Sequence, residues 1–508
     1  MFKNKLNIFY LNIVSRKRYF SILLFLNLSM FCIAQNIEGF DKFREDILSS
    51  FNQERQNIFK RYNSYRDSIN DEYSKFLKEA WGDYSLSSPM PRPKEDNLIP
   101  PIPYDRSKED KSIDYNPKTV PIINNNPKPQ PIEPIKENPS PIQDIFNFSF
   151  YGINEGVRHP SKISLNLNVN DNLSIAKAWE VLYKDSNLDN TLYDLLKIRD
   201  KYNLCDWSFL QLLNEFSNNL IKENNVATLL TSFLFFQSGY QMRLAHDNSN
   251  LFLLYGSQHH IYEKPYYVVD GLIFYPYTDP TTSLNICKGS FENETPLSLL
   301  INSEQKLGSS LSEQRLIKSK RYSDLSAISQ VPIELIQFFN SYPTSAIGSN
   351  LLSRWAMYAN TPLSQNTKDI LYSSLKQSIS DCTQLEAANK LLNWVQTGFV
   401  YEYDDKVWGH DRAFFAEETL YYPYADCEDR SILFSRLIRD LLDLDVALIY
   451  YPGHLATAVK FDTDVRGDAM IVNGEKYIIC DPTFIGAPVG SQMPNLEYDK
   501  AQAIILKR

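Results

Sequence analysis

Tyr421-Tyr-Pro-Tyr-Ala-Asp-Cys-Glu-Asp-Arg430 is the stretch on which the reading of this chain turns, because it sets a single cysteine at the start of a helix. Asp426 is a favoured N-cap residue, and Asp429, three positions on, can answer it as the second half of a capping box. Behind them Ile432, Leu433, Leu437, Ile438, Leu441 and Leu442 recur at spacings of one, three and four, which buries one face of the helix. Cys427 then lies in the first turn, where free N–H groups and the positive end of the dipole favour a thiolate. Asp426, Glu428 and Asp429 oppose that charge, so Cys427 needs a basic partner to act as a nucleophile. A buried structural thiol is the plainer reading of the cysteine taken alone.

Partners follow in order along the chain. Val446-Ala-Leu-Ile-Tyr-Tyr451 reads as an apolar strand, Pro452-Gly453 breaks it, and His454 opens the next strand through Phe461. Asn473-Gly474 marks a tight hairpin whose second strand, Tyr477 to Cys480, delivers Asp481. A helix packed on that antiparallel sheet lets His454 approach the sulfur and take its proton, with Asp481 fixing the tautomer and orientation of the ring. Cys480 should point to the opposite face of its strand and be core. His410, in the polar loop Gly409-His-Asp-Arg412, reads as a surface residue rather than the base.

This ordered set resembles the transglutaminase-like superfamily of papain-related cysteine enzymes over about residues 385–508. It comprises Phe415-Ala-Glu-Glu-Thr-Leu420 leading into Asp426-Cys427, the helix Arg436-Leu-Ile-Arg-Asp-Leu-Leu442, Gly453-His454, and Tyr477 through Asp481-Pro-Thr483. With Phe414, Tyr421 and Tyr450-Tyr-Pro-Gly-His454 it looks like a branch found in secreted proteins of Bacteroidetes-type bacteria. The resemblance implies Cys427 as nucleophile, His454 as general base and Asp481 as its orienter. Ala425 stands where the family often has Gly, and Leu455-Ala-Thr457 replaces the aromatic that often follows the histidine. The oxyanion donors are read as the Cys427 backbone N–H and, as a candidate, the Trp408 indole, with a core or lid role for Trp408 standing beside it. The implied chemistry is acyl transfer from an amide of a protein or peptide substrate through a thioester. Resolution by water, as in a peptidase or amidase, is favoured over resolution by an amine, and no cofactor or metal ion is called for. The rival reading is a non-catalytic secreted binding or assembly module on the same fold.

Around this site the 508 residues have room for several domains of α+β class. A net charge of −9 without a basic stripe excludes a general nucleic-acid binder. Residues 1–34 read as a signal peptide: Lys3, Lys5 and Arg16-Lys17-Arg18 precede an apolar run from Phe20 to Ile33, with cleavage expected after Ala34. Export to the periplasm, the cell surface or the medium follows, with no membrane association beyond that peptide. Cys205, Cys287, Cys382, Cys427 and Cys480 remain, and an odd number leaves at least one thiol unpaired.

Residues 35–88 read as a long amphipathic helical segment, its stripe running through Phe40, Ile47, Ile58, Tyr65, Ile69, Tyr73 and Phe76. A continuous helix of that length extends roughly 60 Å, so residues 40–81 are expected to self-associate or meet a partner helix. Residues 89–142 hold 14 of the 27 prolines and read as an extended tether. Residues 143–330 read as a mixed α/β middle domain, with a strand over Ile163 to Val169 and a polar connector from Glu292 to Gln330; residues 331–508 form the transglutaminase-like domain. His246, His259 and His260 lack metal-ligand spacing. The middle domain also repeats the order of the last one: an apolar helix from Ala227, then Asp270-Gly271 and Asp279-Pro-Thr281, matching the helix from Ser431, Asn473-Gly474 and Asp481-Pro-Thr483. A degenerate duplication would put Glu223 where Cys427 stands; chance similarity of apolar patterns is the alternative.

Overall fold

Apolar helices followed by short strands fold here into two main sheets, one antiparallel and one antiparallel within but parallel at its two edges, each backed by a buried helix. The computed structural model describes residues 40–79, 81–94, 98–105, 107, 112–120, 143–160, 163, 165–348 and 350–507. The signal peptide expectation and residues 121–142 of the expected tether lie outside the described residues. The described residues up to Tyr65 belong to one unit and those from Arg66 onward to another.

Helix α1 (Phe40–Lys78) leads into β1 (Gly82–Tyr84), and the proline-rich segment adds β2 (Asp114–Tyr115) and β3 (Lys118–Thr119). A hairpin of β4 (Asp144–Phe150) and β5 (Ile153–His159) precedes α2 (Asn172–Lys184), α3 (Asn187–Tyr202), α4 (Asp206–Leu220) and α5 (Asn224–Gln237). Then come β6 (Met242–His246), β7 (Leu251–Gly256), β8 (His259–Ile261), β9 (Tyr267–Val269), β10 (Leu272–Pro276) and β11 (Leu284–Ile286). The segment expected as a polar connector instead buries Leu297, Leu299 and Ile301 and forms a hairpin, β12 (Arg315–Lys318) with β13 (Ser326–Ser329). Helix α6 (Ile333–Asn340), β14 (Ser345–Ile347), α7 (Ser353–Asn360), α8 (Gln365–Ile379) and α9 (Gln384–Gly398) follow. The last part holds α10 (Asp404–Val407), α11 (Ala416–Tyr421), α12 (Cys427–Leu442), β15 (Asp445–Tyr451), β16 (His454–Lys460), β17 (Ala469–Val472), β18 (Glu475–Cys480) and β19 (Gln502–Ile505). The expected boundary at 330 makes no break, because one apolar core runs from Tyr73 through Val331 and Leu335 to Leu506.

Several expectations are corrected. From Arg66 onward α1 is no free seam: Tyr73 packs on Trp179 and Phe236, and the Asn70 carboxamide oxygen takes the Trp179 indole N–H (3.0 Å) and the Gln237 amide (2.8 Å). The run from Ile163 to Val169 is not a strand; Leu165, Leu167 and Val169 turn inward against the core without a pairing partner. The described parts of the proline-rich segment are docked rather than a free spacer. β2 and β3 pair in parallel with β17 and β19 at the two edges of the second sheet, while Ile99, Ile102 and Tyr104 pack over its face. Proline tolerates such edge positions, where only part of the backbone must pair.

The first sheet has the order β1-β11-β6-β7-β10-β9, and the second β2-β17-β18-β16-β15-β19-β3. Omitting the edge strands β1, β2 and β3, β11-β6-β7-β10-β9 and β19-β15-β16-β18-β17 run in the same order and sense, with α5 packed on β6 and β7 and α12 on β15 and β16. Both hairpin turns carry left-handed residues, Asp270 and Gly271 (φ 50° and 80°) and Asn473 and Gly474 (φ 53° and 83°). The N-caps also match: Glu223 accepts from the N–H groups of Asn225 and Val226, Asp426 from those of Glu428 and Asp429. Glu223 therefore corresponds to Asp426, and Asn224, not Glu223, stands at the Cys427 position. Aligning the turns and following the ladders (Gly256 opposite Phe274, Thr457 opposite Cys480) sets Asn250 at the His454 position and Thr278 at that of Asp481.

Two predictions follow from this packing. Asn70→Ala strands two buried donors and lowers unfolding stability by about 2 kcal/mol in denaturant titration, whereas an undocked α1 would show no change. Buried Glu417, whose carboxylate accepts the Ser364 N–H, is pushed by burial up to about 7. Its native form holds a proton more tightly than the unfolded chain, so its contribution is retained at acid pH and lost as pH rises from the ordinary carboxyl range through about 7. The expected loss is about 3 kcal/mol, and Glu417→Gln flattens that limb of the stability profile.

Candidate active site

The second sheet and α12 bring Cys427 and His454 to one cleft, with Asp481 bonded to the histidine. Asp426 caps α12 as expected, accepting from the N–H groups of Glu428 (3.1 Å) and Asp429 (3.4 Å), and the Asp429 carboxylate takes the N–H groups of Asp426 (3.2 Å) and Phe414 (2.9 Å). Cys427 is the first residue of the helix and is 5% exposed. One turn later Ser431 donates to the Leu455 carbonyl (2.9 Å), which clips the helix to β16. The Leu455 backbone N–H in turn bonds the Cys427 sulfur, so the residue after His454 touches the thiol.

His454 opens β16 and Asp481 follows β18, at 2% and 1% exposure. The imidazole Nε2 lies 2.8 Å from Asp481 Oδ2. Asp481 Oδ1 accepts from the N–H groups of Thr483 (2.8 Å) and Phe484 (3.2 Å), which fixes the carboxylate. With Nε2–H donated to Asp481, Nδ1 becomes the acceptor nitrogen, and it is buried without a protein partner. Cys427, His454 and Leu455 line the same cleft as Trp355, Asp404 and Glu428.

The electrostatics are adverse to a lone thiolate. Burial pushes the Cys427 thiol well up, Asp426 and Glu428 push it further, and the Leu455 N–H partly offsets them. Burial likewise raises Asp426, Glu428 and Asp429, and lifts Asp404 to about 8 with Glu428 as the next cause. The start of α12 is thus a buried acidic pocket.

Trp408 does not line the cleft: its ring packs on Phe414 and Tyr422, with the Arg412 guanidinium 4.4 Å from its centre. The tryptophan that does is Trp355, 72 residues before the cysteine, and its indole N–H is taken by Glu428 Oε2 (2.9 Å). His410 is half-buried and also lies off the cleft, and Cys480 is core, its thiol against the Ile478 carbonyl (3.6 Å). His246 and His259 are buried, and burial takes His259 down to about 3.

Sequence reasoning missed the brace beneath the site. Arg430 donates to the carbonyls of Gln396 (3.1 Å) and Phe399 (2.9 Å), and the Gln396 amide donates to those of Asp481 (3.0 Å), Phe484 (2.8 Å) and Ala487 (3.1 Å). Helix start and Asp481 loop are thereby joined through two side chains. A cation three places after Cys427, directly behind two acids, was the available signal for Arg430; Gln396 had none. Also missed was the meeting of Asp404, Asp411 and Glu428, whose irregular spacing carries no motif. Searches of family models, curated proteins and solved structures gave no match to this chain.

Proposed function

We propose that this chain is an exported cysteine acyl-transfer enzyme that cleaves amide bonds through a thioester, on a transglutaminase-like arrangement of the second sheet and α12. The observation that carries the reading is the state of His454: one ring nitrogen is held by Asp481 and the other is left buried and unpartnered in a cleft shared with Cys427.

His454 Nδ1 takes the thiol proton, and the resulting imidazolium offsets the acids that disfavour the thiolate. The sulfur adds to the substrate carbonyl, forming a C–S bond and an oxyanion. The Cys427 backbone N–H, which the Asp426 cap leaves out, is the donor best placed for that oxyanion. Imidazolium returns its proton to the amide nitrogen as the C–N bond breaks, and the amine departs. Water then loses a proton to His454 and adds to the thioester, the C–S bond breaks, and thiol and carboxylic acid are released. Asp481 holds ring and tautomer throughout.

The raised Cys427 thiol is the one observation on the side of a non-catalytic binding module. Two measurements separate the readings. Against peptide and cell-wall amide libraries, Asp481→Asn is expected to lower kcat about 100- to 10,000-fold with KM little changed, and Cys427→Ala to abolish turnover. A library without any Cys427-dependent product would favour the binding module. For alkylation of Cys427 by iodoacetamide, the rate should climb with pH because burial and acids raise the thiol, and His454→Ala should displace the profile to higher pH. Equal labelling of His454→Ala and the native chain at every pH would remove the imidazole from the site's chemistry.

A further inference from the structure

The cleft that holds Cys427 and His454 is walled by two parts of the chain that lie far apart in sequence. Among its described lining residues, Lys94 and Leu98 come from the proline-rich segment and the rest from residues 355–455. Cys427 and His454 are both buried, yet an acyl-transfer nucleophile must come within about 3–3.5 Å of a substrate carbonyl carbon. Something must leave the resting cleft before a substrate can enter it.

The proline-rich segment is moored firmly on either side of the cleft and loosely at it. Upstream, the Glu263 N–H donates to the Met90 carbonyl (2.8 Å), and Arg92 pairs with Glu263 and donates to the Asp411 carbonyl (2.9 Å). Downstream, the Ile102 carbonyl accepts the Ile485 N–H and the Tyr104 N–H donates to the Ile485 carbonyl, both at 2.9 Å, while the Tyr104 ring meets Phe484 edge-on at 5.3 Å. Among the described residues between these moorings, the Ile99 N–H bonds the Gly453 carbonyl (3.0 Å), and Lys94 faces Asp405 at 3.9 Å in an exposed pair that solvent screens. Leu98 lines the cleft and is still 39% exposed. Pro100 and Pro101 bring no N–H and favour an extended backbone. A stretch with few buried contacts between firm ends is where a chain opens locally at least cost.

We infer that Leu98 holds, within the chain itself, the place of an apolar substrate residue: Lys94, Leu98 and Ile99 keep the resting site closed, and an extended peptide opens it by taking the Leu98 place. The lining fits such a residue, since Trp355 and Tyr450, whose rings pack at 5.5 Å, and Leu455 give the cleft an apolar side. A peptide then binds only the fraction of molecules whose own segment has let go, and its apparent affinity falls by that fraction. Calling the peptide a substrate rests on the acyl-transfer reading; its competition with Leu98 for the cleft does not.

The test uses the full chain carrying Cys427→Ala, which stops turnover, alone and with Leu98→Ala or Ile99→Pro added. Leu98→Ala shortens the occupant, and Ile99→Pro removes the N–H that bonds Gly453. The probe is a fluorescein-labelled peptide with the sequence of residues 94–99, read by fluorescence anisotropy. Each added substitution should tighten its binding about threefold to tenfold, the factor set by one hydrogen bond or a few buried methyl groups, while near-UV circular dichroism stays native. The same peptide with alanine in place of its leucine should bind more weakly to every chain. Where Cys427 is kept, Leu98→Ala should speed alkylation by iodoacetamide by a similar factor, and saturating peptide should slow it again. If Ile99→Pro loses its native dichroism, Leu98→Ala, at a partly exposed side chain, carries the comparison. Equal peptide affinity in the parent and Leu98→Ala chains, with alkylation unchanged, would make the segment a fixed wall and overturn the proposal. Equal binding of the mirror-image peptide would also overturn it, by reducing the cleft to a general apolar surface. Tighter peptide binding without any Cys427-dependent product would support the competition and count against the acyl-transfer reading, so the two failures are told apart.

Discussion

A helix that begins inside the protein must have its first N–H groups satisfied by the protein, and the C-terminal half of this chain is arranged around that constraint. Asp426 through Arg430 are all buried. Water is not at hand for the orphan donors, so Asp426 and Asp429 cap one another and Phe414. Those carboxylates need positive ends nearby, and helix N–H groups supply part of that need. Arg430 does the opposite task, satisfying the carbonyls of Gln396 and Phe399 where α9 ends. Through Gln396 the same brace reaches the backbone of Asp481. The helix start and the carboxylate that orients His454 are therefore parts of one hydrogen-bonded frame, and displacing either would move the other.

The strap from the proline-rich segment extends that frame. The Ile99 N–H bonds the carbonyl of Gly453 (3.0 Å), immediately before His454, and Gly453 takes a left-handed φ of 78° to turn the chain between β15 and β16. Tyr115 and Gln492 meet the hydroxyl of Tyr451, the ladder partner of His454. The turn that aims the histidine is thus backed by residues more than three hundred positions earlier in the chain.

Legibility in the sequence followed the range of the interaction. The cap at Asp426, the apolar face of α12 and the Asn473-Gly474 hairpin are local patterns, and the structure has them. Two-residue strands such as β2 and β3 carry no period, so the docking of a proline-rich stretch on sheet edges left no trace to read. The alternation from Ile163 to Val169 had the period of a strand but met no edge to pair with, which no local pattern can foretell. Trp408 is the sequence candidate because an indole N–H only donates, and nothing local in the sequence points to Trp355. In the fold, Trp408 is drawn into an aromatic cage around Arg412, while α7 carries Trp355 to the cleft. The acidic group of three fails for the same reason: Asp404, Asp411 and Glu428 come from a helix, a loop and another helix.

The two sheets separate what folding demands from what it does not. Both retain a carboxylate at the N-cap of the backing helix, Glu223 and Asp426, and both retain a left-handed pair at the hairpin. These are backbone requirements of the shared strand order. At the three triad stations the first sheet carries Asn224, Asn250 and Thr278, and it forms the same ladders with them. Packing and topology therefore do not call for cysteine, histidine and aspartate at those places. A buried imidazole held by a buried carboxylate costs desolvation that apolar residues of similar size would avoid. Its presence in one sheet and absence from the other supports the proposed chemistry over a purely structural role for those side chains.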